Sequence, residues 1–122
     1  MSEGCDHTLV KMEMVVADDP VKRAAELARE APKETMVVSV RGSTIAWVRA
    51  ELGTGDVDFY ARGSRRGLNR RKIILVVTPA DGAVDVLELV ADVVLPLLVV
   101  PTRSAVMVGR RADLARVGSM FI

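Results

Sequence analysis

The chain has 122 residues, half of them hydrophobic and only 3% aromatic, with a formal net charge of +1. That is enough for one domain around an aliphatic core, and too few rings for the aromatic sheet surface that stacks RNA bases. A single cysteine, Cys5, excludes an intramolecular disulfide, and a single histidine, His7, excludes a two-histidine metal site within one chain.

The first residues lack the basic start and apolar run of a signal peptide, so a cytoplasmic location is expected. Residues 8–17 alternate apolar and charged side chains and predict a strand. Asp18, Asp19 and Pro20 then form a helix start, and the spacing of Val21, Ala24, Leu27, Ala28 and Ala31 predicts a helix that Pro32 ends. Residues 35–40 and 44–51, rich in β-branched side chains and joined by Arg41, Gly42 and Ser43, predict a hairpin. A short strand is expected over 57–61.

Residues 72–78, KIILVVT, form the continuous apolar run of a central strand covered on both faces. That strand should lie parallel and next to the first one, because each feeds a helix. The second helix is expected over 83–94, with Asp85, Glu88 and Asp92 on one side. Residues 97–100 and 105–108 read as strands, and 111–117 as a terminal helix. The apolar stretch 83–100 is broken by these three acids and Pro96, so no membrane span is expected.

The fold class expected is therefore α/β, one domain over residues 1–122, with a mixed, partly parallel sheet and two main helices. A shift of 61 residues aligns Lys11 with Lys72, Val15 and Val16 with Val76 and Val77, Val38 with Val99, Ser43 with Ser104 and Arg49 with Arg110. These coincidences suggest a β-α-β-β duplication with pseudo-repeats 8–61 and 69–122. The absence of Gln and the single Asn, Asn69, fit either a thermophile or a GC-rich genome.

Charge supplies the functional expectation. Arg62, Arg65, Arg66, Arg70, Arg71 and Lys72 fall in one eleven-residue stretch, and no acid lies between Asp58 and Asp81. Eleven cations then remain against sixteen carboxylates, so the rest of the chain carries −5. A concentrated cationic segment on an acidic body suits phosphates or an acidic partner. Arg matches phosphate oxygens bidentately, and Gly63 and Gly67 would let backbone amides approach an anion. Tyr60 is the nearest candidate for base stacking.

Asp18, Asp19 and Asp81, in turns that follow strands, are secondary ligand-site candidates because open α/β sheets bind ligands beyond the carboxyl ends of their strands. Each also suits a helix cap or turn. Cys5, Asp6 and His7 lack paired metal-ligand spacing, and no cofactor or metal is expected. The reading that follows is a binding module for phosphate-rich ligands, RNA foremost, acting as a homodimer rather than an enzyme. Its rivals are a structural or regulatory homo-oligomer, with Trp47 as a core or interface anchor, and a small nucleotide-binding regulator or enzyme that uses the strand-end turns.

Overall fold

Five short runs of mostly aliphatic residues form one parallel sheet. They are β1 (Met12–Val16), β2 (Thr35–Ser39), β3 (Asp58–Phe59), β4 (Lys72–Val76) and β5 (Ser104–Gly109). The computed structural model describes residues 12–53 and 55–119, so residues 8–11 of the expected first strand and the Cys5-Asp6-His7 trio lie outside it. The strand order is β1-β5-β4-β2-β3, and every pairing is parallel. β4 is central, and its four residues after Lys72 are buried. It runs parallel to β1 as its pattern predicts, but β5 separates the two because the crossover from β1 passes over two strands to reach β2.

Helices cover both faces of the sheet. α1 (Pro20–Arg29) starts as its sequence predicts: Asp19 Oδ1 accepts the Lys22 amide at 3.2 Å and Pro20 occupies the first turn. The expected strand over 44–51 is instead part of α2 (Gly42–Leu52). Thr44, Val48 and Leu52 are its buried residues, a four-residue spacing that only a helix turns to one side. Gly53 at φ +67° closes it, its amide returning to the Arg49 carbonyl. The hairpin is thereby corrected to a strand–helix unit, which leaves the sheet fully parallel rather than mixed.

The expected strand over 97–100 is likewise helical. α3 (Ala83–Leu89), a wider i→i+5 turn over Val90–Val94 and α4 (Leu95–Leu98) make one helical rod, with Val86, Val90, Val94 and Leu98 along its buried side. The wide turn lies just before Pro96, which has no N–H to return to the preceding turn. α5 (Arg111–Gly118) follows β5, as its sequence predicts.

The core has two layers. Val37, Ile74, Val76, Val106 and Val108 face α1 and α2, while Met36, Val38, Ile73, Leu75 and Met107 face α3, α4 and α5. Each half of the chain therefore runs β-α-β-α, not β-α-β-β, and β5 begins at Ser104, eight residues beyond the place a shift of 61 assigns it. From the carboxyl end of β2 the chain leaves through α2 towards β3, and from the adjacent β4 through α3 towards β5. Neighbouring strands that send their chains opposite ways over opposite faces create a crevice beyond their carboxyl ends.

Candidate functional site

The basic stretch begins at one end of the sheet and finishes at the other. β3 delivers the chain to its carboxyl end, where the Tyr60 amide reaches the Val37 carbonyl at 2.9 Å. The chain must then return to the amino end, where Lys72 stands beside Thr35. Residues 61–71 make that return along the β3 edge as a chain of turns. The Ser64 amide bonds the Ala61 carbonyl, the Leu68 amide that of Arg65 and the Arg70 amide that of Gly67. Gly63 and Gly67, at φ +83° and +84°, supply the left-handed backbone these turns need. A Cβ on Gly67 would stand 2.9 Å from Met36 Sδ, so the loop lies directly on β2.

This path sorts the six cations. Arg70 pairs with Asp58 at 2.9 Å and donates to the carbonyls of Pro32 and Lys33, its side chain only 19% exposed. Lys72 donates to the Leu27 carbonyl at 2.9 Å and meets Glu30 at 3.4 Å. Both act as braces between the sheet and the chain around it. Arg66 also reaches Asp58, at 3.2 Å, but remains 79% exposed. Arg62, Arg65 and Arg71 are exposed, with no ion pair among the described residues. Arg49 on α2 joins them, its guanidinium 4.6 Å above the Phe59 ring.

The exposed cations border three depressions. One of about 470 Å³ holds Arg49 and Arg66, and one of about 410 Å³ holds Lys33, Arg70 and Arg71. The largest, about 520 Å³, opens beyond the carboxyl ends of β2 and β3 between α2 and the helical rod. There Arg49 and Arg62 share the cleft with Asp85, Glu88 and Asp92 of the rod. Tyr60 packs against the core and lines that cleft, half-buried.

The strand-end carboxylates are not brought together. Asp18 and Asp19 are exposed in the turn into α1, where Asp19 caps the helix and the Asp18 carbonyl accepts from Arg110. Asp81 is buried two strands away in the turn into α3. Its Oδ2 accepts the Thr78 amide at 2.9 Å, and Arg41 lies 3.4 Å from its Oδ1. The Arg41 and Arg116 guanidiniums hold the Ala80 and Asp81 carbonyls of the same turn. Among the described residues no three His, Cys, Asp or Glu side chains converge as metal ligands. None of their helices is long and apolar enough to cross a membrane.

Trp47, placed in a strand by its sequence neighbours, lies on α2 and is 58% exposed. Its spacing from Thr44 and Val48 was the signal that sets it outside the core. Compared with known protein families, curated proteins and solved structures, the chain matches none.

Proposed function

We propose that the chain binds a phosphate-rich ligand, single-stranded RNA foremost, along the β3 edge of its sheet. The supporting observation is the exposed row Arg49, Arg62, Arg65, Arg66 and Arg71, in which Asp58, its side chain only 11% exposed, lies beneath Arg66 and Arg70 rather than in solvent. The loop that carries most of the row returns over the length of the five-residue β2, roughly 17 Å, enough for a few consecutive phosphates of an extended single strand. Affinity comes from charge, with the half-buried Tyr60 beside Arg62 as a stacking edge, and sequence preference is small. Fluorescence anisotropy with a labelled oligonucleotide tests the reading. Binding at low salt that disappears when Arg62, Arg65, Arg66 and Arg71 become Ser supports it, and no binding by the native chain overturns it.

A second observation favours self-association. Among the described residues β1 is an outer strand, and Met14 and Val16 on it are half exposed. An apolar outer strand of this kind pairs readily with a second copy of itself. Sedimentation equilibrium at tens of micromolar protein would detect the dimer, and Met14→Lys should shift it towards monomer.

A further inference from the structure

We propose a second ligand site, independent of the cationic edge, in which Trp47 stacks on a planar heteroaromatic ring whose phosphate is held by Arg110: a nucleoside monophosphate. The site is a pocket of about 330 Å³ lined by Asp19, Pro20, Val21, Trp47, Thr78, Pro79 and Arg110. It lies beyond the carboxyl ends of β1, β4 and β5, where a parallel sheet receives its ligands. Its volume is at the lower end of the range for small-molecule pockets.

The lining divides into two kinds of group. Trp47, Pro20, Val21 and Pro79 offer apolar surface around an indole that the fold leaves 58% exposed, while Phe59 and Tyr60 are packed down. An exposed indole costs apolar hydration that a stacked ring would remove. Arg110 donates through Nε to the Asp18 carbonyl at 3.2 Å, which fixes the side chain, and its two terminal nitrogens have no protein partner among the described residues. They form a fork for a phosphate. Asp19 uses Oδ1 as the α1 cap, leaving Oδ2 to accept from a sugar hydroxyl or ring amino group.

The pocket wall is preformed. The Thr78 to Asp81 turn is held by Thr78 N–H on Asp81 Oδ2, by the Asp81 amide on the Thr78 carbonyl, and by Arg41 and Arg116 on the Ala80 and Asp81 carbonyls. Little ordering is therefore required when a ligand enters.

Trp47 is the only tryptophan, so its fluorescence reports on this site alone. Titration with AMP should quench it saturably, and adenosine, which absorbs identically, should bind about tenfold more weakly. Arg110→Gln should bring AMP down to the adenosine level. The Arg62, Arg65, Arg66 and Arg71 to Ser variant should bind AMP unchanged, which separates this site from the cationic edge. In Trp47→Leu, an exposed substitution, the NMR shifts that AMP induces at Val21 and Thr78 should vanish. No saturable response to about 5 mM AMP, equal binding of AMP to the native chain and Arg110→Gln, or loss of AMP binding in the edge variant would each overturn the proposal. So would a Trp47 emission that moves to the blue with protein concentration, because the indole would then be covered by a second copy.

Discussion

Asp58 and Arg70 stand twelve residues apart in sequence and 2.9 Å apart in space, and this pair fastens the return loop to β3. It also removes one arginine from the positive surface, because a guanidinium that spends its donors on Asp58 and on the Pro32 and Lys33 carbonyls has little left for a phosphate. Lys72 is withdrawn in the same way by the Leu27 carbonyl. The cationic edge is thus smaller than the cationic sequence.

Breaking this pair should destabilise the fold. Asp58→Ala leaves a mostly buried guanidinium with only the Pro32 and Lys33 carbonyls, and Arg70→Ala leaves a mostly buried carboxylate with only the exposed Arg66, so each is expected to cost about 2 kcal/mol in urea unfolding. Arg70→Lys keeps the charge without the fork and should recover only part of that. Arg66→Ser, at an exposed position on the same carboxylate, should stay within about 0.5 kcal/mol. Equal costs at Arg66 and Arg70 would refute the division of the loop into a brace and a free cation.

Salt dependence measures how many cations meet phosphate. Four contacts, from Arg62, Arg65, Arg66 and Arg71, give a log–log slope of about −3 on a single strand, a loss of roughly 50-fold between 50 and 200 mM salt. Replacing Arg62 and Arg71 alone should halve the slope. Lys72→Met, a brace, should leave it unchanged while lowering the unfolding midpoint, and a slope that falls with Lys72 instead would place the contacts at the wrong rim.

How far the sequence revealed this arrangement varies from element to element. β4 was legible because a strand covered on both faces must be apolar at every position, and α1 because Asp19 and Pro20 mark a start that the chemistry of the peptide group dictates. α2 was not. Thr44, Ile45, Trp47 and Val48 are strand-favouring side chains, and tertiary packing of Thr44, Val48 and Leu52 against the sheet overrode that preference. The rod from α3 to α4 was hidden by Pro96, which ends most helices, whereas the wide turn before it lets this one continue. At the candidate site, counting charges located the cationic loop but could not separate Arg70 from Arg71. Those neighbours differ only because β3 pairs with β2 and sets Asp58 where Arg70 passes.

The buried turn at Asp81 offers a sharper stability test. Asp81→Ala leaves the Thr78 amide without its acceptor and should cost about 2 kcal/mol. Asp81→Asn retains an oxygen for that amide and should cost less. Loss of the Asp81 carboxylate should also loosen the wall beside Trp47, so faster amide exchange at Thr78 than in the native chain is expected. Unchanged exchange at Thr78 would mean that the turn is held by Arg41 and Arg116 without it.

Gly63 and Gly67 provide a matched pair for asking whether the loop truly rests on the sheet. Their backbones are almost identical, φ +83° and +84°, so an alanine at either suffers the same left-handed strain, about 1 kcal/mol. Only their surroundings differ. Nothing lies within 4 Å of a Cβ at Gly63, whereas one at Gly67 would meet Met36 Sδ at 2.9 Å and Asp58 Cβ at 3.0 Å. Gly67→Ala should therefore cost about 1 to 3 kcal/mol more than Gly63→Ala, the usual penalty for overpacking a fitted contact. Because Asp58 is the carboxylate that Arg70 grips, the Gly67 variant should also weaken that pair. Combining Gly67→Ala with Arg70→Ala should then cost less than the two separate losses added together, while Gly63→Ala with Arg70→Ala should be additive. Equal costs at the two glycines would mean that the loop stands away from β2, and the cationic edge would lose its rigid support.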